Sequence, residues 1–224
     1  MMNILNFDNR QTWKNIFSSV LLLLLCAGLF SCGDDEKNEP EAPIEDDYFA
    51  MAQELLQDSI VLNAHAMMSI VNKTKLPTGC PLKYYFTWRD DGLLRIELRN
   101  FTVGKMPLTI WFSINVKFMQ LNTWEKQEYT DEGWLKFKGE KGMTSYSPNM
   151  QESQYEAGTG GNGTVIGYLN VLTGRIEFST EFNVMLVQAY VFEQTIDKSR
   201  IYRYDEEIRK FAQDLIKWKE EHGE

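Results

Sequence analysis

The feature that most restricts the fold of this chain is the alternation of residue type along its longest apolar segment. In the segment Leu108 to Leu121, every second residue from position 110 to position 118 is apolar: Ile110, Phe112, Ile114, Val116 and Phe118. Successive side chains of a β-strand point to opposite faces, so this pattern predicts a strand with one buried face. The segment Leu93 to Phe101 shows the same pattern, with Arg95 and Glu97 on its polar face.

Further segments with strand character follow one another along the chain. They comprise Ser59 to Asn72, Leu82 to Arg89, Trp134 to Lys138, Thr164 to Val171, Arg175 to Phe182 and Val184 to Glu193. Helix is an alternative for part of the first, because Ala, Met and Leu are good helix formers. A further strand is an option over Ser199 to Tyr204. The pair Asp91-Gly92 predicts a tight hairpin turn, because Gly readily adopts a positive φ.

Apolar residues at helical spacing predict one helix at each end of this series. The first runs from Tyr48 to Leu56, and the second begins near Asp205 and presents an apolar stripe that includes Phe211 and Leu215. About eight consecutive strands between two helices predict a mainly β domain. We expect a curved antiparallel meander that forms a barrel or half-barrel. The sequence does not decide whether the barrel is closed or whether it encloses a cavity.

The N-terminal region resembles a bacterial lipoprotein signal peptide. Arg10 and Lys14 precede an uncharged apolar run of 11 residues, Val20 to Phe30. A helix of that length spans about 17 Å, too short for a hydrocarbon core of about 30 Å. Leu29-Phe30-Ser31-Cys32 matches the Leu-x-small-Cys pattern of the lipoprotein family. The resemblance implies that residues 1–31 are removed and that Cys32 carries the acyl chains, including palmitate, that anchor the protein.

Residues 32–47 predict a flexible acidic tether. Eight acidic residues and one lysine lie between Gly33 and Asp47, and Pro40 and Pro43 disfavour a helix. An acidic stretch directly after the lipidated cysteine resembles the export signal of surface lipoproteins in the Bacteroidetes. The expected location is the outer membrane, exposed at the surface, with its periplasmic face as the alternative. Residues 48–224 are then a single β-rich domain.

Two motifs in this domain resemble calycin-like, or lipocalin-like, lipoproteins of unknown function from Bacteroides and its relatives. They are Arg-Asn-Phe-Thr-Val-Gly-Lys-Met-Pro (Arg99 to Pro107) and Gly-Tyr-Leu-Asn-Val-Leu-Thr-Gly-Arg-Ile-Glu-Phe (Gly167 to Phe178). The resemblance covers about residues 82–193 and rests on turns and strand patterns. It implies a curved antiparallel sheet and assigns no activity, catalytic residue or ligand.

Aromatic residues on the predicted strands are the candidates for ligand binding. We predict that a concave aromatic face holds an apolar or glycan-like ligand through Tyr84, Phe86, Trp88, Phe112 and Phe118. Trp111 and Trp124 occupy positions predicted to face outward, where an exposed aromatic ring would suit a protein partner. Asp58-Ser59-Ile60 resembles a Bacteroidetes O-glycosylation site, with Ser59 as the modified residue.

The sequence contains no signature of a catalytic, metal or cofactor site. Cys80 is expected to be the only thiol left after processing, and Gly79-Cys80-Pro81 predicts a turn, which is not a typical setting for a nucleophile. No other histidine, cysteine or acidic residue lies at metal-binding spacing from His65. We therefore expect His65 to be a packed, hydrogen-bonded histidine. Gly158 to Gly163 matches Gly-x-Gly-x-x-Gly, but a loop precedes it and a strand follows, so a nucleotide site is not expected. The net charge of −9 argues against nucleic-acid binding.

The function predicted from the sequence is therefore a non-catalytic, lipid-anchored binding or accessory module for an unidentified small ligand. The alternative is a structural or interaction subunit of a cell-surface protein complex. A glycoside hydrolase is a more distant third, since Glu177 and Glu181 share one face of a strand at a Cα separation of about 13 Å.

Overall fold

The computed structural model describes residues 44–68, 73–102, 109–146, 161–182 and 187–222. They all lie within one compact unit, Glu41–Glu224. The helices are α1 (Asp46–Leu55), α2 (Glu125–Glu128), a 3₁₀ helix (Lys198–Arg203) and α3 (Tyr204–His222). The strands are β1 (Asp58–Met68), β2 (Lys73–Trp88), β3 (Leu94–Phe101), β4 (Ile110–Met119), β5 (Trp134–Tyr146), β6 (Gly163–Asn170), β7 (Arg175–Glu181) and β8 (Val187–Thr195).

The eight strands form a closed antiparallel barrel in chain order. Each strand pairs with the next, and β8 returns to β1 through pairs such as His65 with Tyr190 and Ala66 with Ala189. The structure confirms the predicted mainly β meander with one helix at each end. Of the two predicted alternatives, a barrel or a half-barrel, the structure shows a closed barrel. The first strand segment is a strand throughout its described residues, not a helix.

The predicted turns explain how neighbouring strands reverse direction. Gly92 has a φ of 79° between β2 and β3, and Gly174 has a φ of 69° between β6 and β7. Both values lie in the left-handed region, where a side chain is disfavoured and Gly is not. The Asp91 side chain adds a hydrogen bond to the backbone N–H of Leu93, with a length of 3.2 Å.

The apolar face of each strand points into the barrel. Ile96 on β3 pairs with Ile114 on β4, and both are fully buried. The same inward face continues around the barrel through Phe137 on β5 and Phe178 on β7, whose ring centroids are 5.9 Å apart. The described interior is thus a packed core, which is the usual arrangement in a barrel of eight strands.

Helix α1 and the residue after it close one end of the barrel. The side chain of Leu56 is fully buried in the core. The indole Nε1–H of Trp88, at the end of β2, donates a 2.8 Å hydrogen bond to the carbonyl oxygen of Leu56. The ring of Phe49 on α1 meets the same indole edge-on at a centroid distance of 5.3 Å.

The C-terminal helices lie on the outer surface of β1 and β2. Arg200 in the 3₁₀ helix donates to the carbonyl oxygen of Val61 at 3.2 Å and to Oδ1 of Asn63 at 2.8 Å. This fixes the start of α3, which packs against β2. Among the described residues, no helix combines the length and the apolar character needed to cross a membrane.

The option of a further strand at Ser199 to Tyr204 was wrong, because the side chain of Asp197 starts a helix there. Its Oδ1 accepts hydrogen bonds from the backbone N–H of Ser199 at 2.9 Å and from the Ser199 hydroxyl at 2.6 Å. An aspartate at this position satisfies N–H groups that a helix start leaves unpaired, so the chain turns instead of extending.

Candidate binding groove

The five aromatic residues predicted to bind a ligand all point into the barrel, where the structure brings them together. They are Tyr84, Phe86, Trp88, Phe112 and Phe118. Tyr84 and Phe86 have ring centroids 6.4 Å apart, and Trp88 and Phe118 are 5.5 Å apart. All except Trp88 are buried. Their role in ligand binding stays a prediction, and a ligand lying between these rings would have to separate them.

Burial also fixes the chemical state of the polar groups in this core. It raises the pKa of the Cys80 thiol to about 12 and raises the pKa of the neighbouring Tyr84 hydroxyl. Both groups are therefore protonated at physiological pH. An enclosed, protonated thiol is a poor nucleophile, since the thiolate is the reactive form.

A different set of aromatic residues lines a depression on the outer surface of the barrel. We call it the aromatic groove. It has a volume of about 440 Å³ and lies across β1, β8, β7 and β6. Its outward-facing residues are His65, Met67, Ile166, Tyr168, Glu177, Ser179, Tyr190 and Phe192.

The shape of the groove follows from the strand register. Ser179 on β7 pairs with Tyr190 on β8 on one side and with Ile166 on β6 on the other. All three side chains face outward, and the serine is much shorter than its two neighbours. A short side chain between two long ones leaves a depression along β7.

One wall of the groove is a continuous stack of three rings. The imidazole of His65 on β1 is stacked with Tyr190 at a centroid distance of 4.8 Å and with Phe192 at 4.9 Å, each at an interplanar angle of 23°. The Tyr190 hydroxyl donates to the side chain of Gln188, which holds the ring in place. Burial lowers the pKa of His65, so this wall is uncharged at neutral pH.

The opposite wall is the ring of Tyr168, which is stacked with a second tyrosine. Tyr129, from the segment after α2, lies over Tyr168 on β6 at a centroid distance of 4.1 Å. The Tyr168 hydroxyl donates a 3.0 Å hydrogen bond to Oε1 of Glu125, and the Tyr129 hydroxyl donates to Oε1 of Glu177. Both rings are thus held by hydrogen bonds as well as by stacking.

Glu125 anchors this wall as a carboxylate. Burial alone would raise the pKa of Glu125, but hydrogen bonds from the Lys136 side chain, the Asn122 backbone and the Tyr168 hydroxyl outweigh burial and lower it. Lys136 in turn forms an ion pair with the carboxylate, which fixes α2 against β5.

The sequence was compared with known families, curated proteins and solved structures. The family described as "Domain of unknown function (DUF4903)" matches residues 32–223. The chain belongs to this family. No curated protein and no solved structure matches the chain.

The match to a family of unknown function and the closed barrel both fit the resemblance to barrel proteins of unknown function that the sequence indicates. The match begins at Cys32, the residue predicted to carry the lipid, which itself lies outside the described residues. The Bacteroidetes origin and the lipid anchor stay predictions.

The structure also places the other residues singled out in the sequence. Trp111 faces outward as predicted but is only 4% exposed, whereas Trp124 is 77% exposed. Ser59 is half-buried on β1 opposite Tyr85, and its glycosylation stays a prediction. No cluster of histidine, cysteine or acidic residues suited to a metal ion occurs in the described part of the domain.

His65 differs in one respect from its sequence-based interpretation. It is packed, as expected, but its Nδ1 atom is buried without a hydrogen-bond partner in the described residues. Its packing comes instead from the aromatic neighbours on β8 that complete the barrel.

The sequence interpretation did not identify the residues of the aromatic groove. A signal was present in β8, where Tyr190 and Phe192 alternate with the smaller, buried Ala189 and Val191. That alternation indicates an aromatic outer face. The contribution of Tyr129 could not be read in this way, because it comes from a connection between strands.

Proposed function

We propose that this chain is a lipid-anchored, non-catalytic module that binds a glycan-like ligand on the outer surface of the barrel. The aromatic groove is the observation that carries the proposal. It combines two ring walls, one flanked by a carboxylate, in a depression whose volume of 440 Å³ lies in the range of small-molecule sites.

The chemistry of the groove suits a ligand with both apolar and polar faces. The rings of His65, Tyr190 and Phe192 on one wall and of Tyr168 on the other offer surface to the C–H faces of a sugar. The side chains of Ser179 and Glu177 lie between these walls and can form hydrogen bonds with hydroxyl groups. A purely apolar ligand would leave these polar groups without partners, at a cost in free energy.

The proposed anchor is Cys32, which places the domain at the outer membrane and on the cell surface. The family match starts at this residue, and the apolar run before it is too short to span a bilayer as a helix. Several acyl chains, each contributing about 0.8 kcal/mol per buried methylene, give a durable anchor. Replacing Cys32 with serine should abolish labelling with radioactive palmitate, and unchanged labelling would contradict the anchor.

A binding role is proposed over a hydrolytic one because the carboxylates near the groove serve their neighbours. Glu177 accepts a hydrogen bond from Tyr129, and Glu181 accepts hydrogen bonds from Gln188 and Thr164. These contacts orient side chains of the surface, which is a structural use of the two carboxylates.

Isothermal titration calorimetry tests the proposed ligand class. The purified full chain is titrated with hexamers of glucose, xylose and N-acetylglucosamine. Tyr190→Ala should weaken binding about 3- to 10-fold, because one ring contact of this kind contributes about 0.5–1.5 kcal/mol. Tyr202→Ala is the matched control, since Tyr202 is 89% exposed and lies in the 3₁₀ helix, outside the groove.

Two results would contradict this assignment. One is the absence of binding to all three hexamers. The other is an apolar molecule that co-purifies with the protein in native mass spectrometry and is lost in Phe112→Ala, which would place the site among the interior rings.

A second candidate function is an interaction subunit of a cell-surface complex, and the exposure of Trp124 favours it. The indole is 77% exposed beside α2, where solvent contact is unfavourable for so large an apolar group. Cross-linking in whole cells should then capture a protein partner, and Trp124→Ala should remove it. Identical cross-links in the two proteins would contradict this role.

A further inference from the structure

We infer that the aromatic groove prefers an oligosaccharide that carries amino groups, with the carboxylate of Glu177 as the counter-ion of a sugar ammonium. The inference rests on the proposed function and names the class of glycan. Three features of the groove carry it: the position of one carboxylate, the lack of a cation beside it, and the nature of the walls.

Glu177 lies where a bound sugar would meet it. It faces outward from β7, two residues before the short Ser179, and pairs with Tyr168 of the tyrosine wall. Its carboxylate is half-buried in the lining. One oxygen accepts the hydrogen bond from Tyr129, and the other oxygen forms no hydrogen bond in the described residues.

The hydrogen bond from Tyr129 orients this carboxylate without neutralising it. Burial, followed by the hydrogen bond and the charge of Glu177, raises the pKa of Tyr129 well above its ordinary value. The tyrosine therefore stays a neutral hydrogen-bond donor at physiological pH.

The basic side chains on the surrounding strands are paired with other carboxylates. The pairs are Lys136 with Glu125, Lys138 with Glu140, and Arg175 with Asp131 and Glu193. No cation is paired with Glu177 in the part of the chain that the structure describes. A half-buried carboxylate without a counter-ion favours a cationic ligand, because solvent screens the attraction less there than on an open surface.

The walls favour the same charge. The faces of tyrosine and phenylalanine rings attract cations, and the neutral His65 adds no repulsion. A sugar ammonium can thus approach Glu177 while the C–H face of its ring lies on the aromatic wall. A uronic acid is itself negatively charged, so the carboxylate of Glu177 and the chain's net charge of −9 would both repel it.

The test compares two hexamers that differ only in their amino groups, glucosamine hexamer and N-acetylglucosamine hexamer. Titration of the full chain at about pH 6.5 keeps much of the free amine charged, while the lowered pKa of His65 leaves the imidazole mostly neutral. We expect the glucosamine hexamer to bind at least about 10-fold more tightly, since charge-assisted hydrogen bonds are the stronger ones.

Glu177→Gln should reduce that preference to about 3-fold or less, because the amide keeps a hydrogen-bonding group at this position but lacks the charge. Glu206→Gln is the matched control. It removes the same charge from an exposed position on α3 and should keep the preference, which separates a local effect from one of net charge. Tyr129→Phe supplies a second variant, which keeps the carboxylate and should also keep the preference.

The possible failures can be told apart. Equal affinity for the two hexamers overturns this inference and leaves the proposed function intact. No binding of either hexamer overturns this inference, and it overturns the proposed function as well only if the glucose and xylose hexamers also fail to bind. Equally tight binding of polylysine, or an unchanged preference in a folded Glu177→Gln protein, overturns the assignment of Glu177 to an amino sugar.

Discussion

The hydrogen bond between Trp88 and Leu56 allows a stringent test of how the barrel is closed. Trp88→Phe removes the only donor that the structure gives to the Leu56 carbonyl while keeping an aromatic ring between Phe49 and Phe118. The substitution therefore probes one hydrogen bond more than it probes packing.

The expected loss follows from the burial of the acceptor. Leu56 has no exposed surface, so its carbonyl oxygen cannot turn to water without opening the end of the barrel. Leaving a buried acceptor unpaired costs about 1–3 kcal/mol. The free energy of unfolding should fall by this amount, and Tm should fall by about 2–4 °C for each kcal/mol in a domain of this size.

Urea denaturation followed by circular dichroism measures the effect. Trp124→Phe makes the same substitution at a residue that is 77% exposed, and it should change stability by less than about 0.5 kcal/mol. Equal stability of the two variants would refute the hydrogen bond as a determinant of closure. A decrease far above 3 kcal/mol in Trp88→Phe would show that ring packing, not the hydrogen bond, dominates.

Three further predictions concern other parts of the domain. Gly167→Ala should lower the free energy of unfolding by about 1–3 kcal/mol or more in urea denaturation, because the new Cβ would collide with Phe178 and lie 2.7 Å from a backbone oxygen. Glu97→Gln should cost about 3 kcal/mol by the same measurement, since this carboxylate is buried between two arginines, whereas Glu140→Gln at an exposed pair should cost almost nothing. Burial lowers the pKa of His65, so the unfolded chain binds more protons than the folded one. Its stabilising contribution is then complete above about pH 6.5 and is lost as the pH falls, and urea midpoints at several pH values should show a weaker dependence in His65→Gln.

The strands could be predicted because their signal is local. The alternation that contains Ile114 marks a strand from neighbouring residues alone, and Asp91-Gly92 marks the turn before β3. The two terminal helices, α1 and α3, were found in the same way. The region around Ser199 was assigned less well, because the residues there suit a strand and only the side chain of Asp197 favours a helix.

Closure of the barrel and the groove could not be predicted, because both depend on residues far apart in the sequence. His65 meets Tyr190 only when β8 returns to β1 in one particular register. The depression at Ser179 exists because β6, β7 and β8 align a short side chain with two long ones. The aromatic residues selected from the sequence are ones that face inward. A strand that buries its large rings and a strand that exposes them show the same alternation, so the sequence pattern does not tell which face is buried.

The closure of the sheet also limits how this protein can meet other proteins. Each of the eight strands pairs with a neighbour on both sides, so no strand in the described part of the domain is an edge strand to which an extended peptide or a second copy could readily add. Recognition must then proceed through side chains on the outer faces and through the connections between strands. The same property protects the domain from edge-to-edge aggregation.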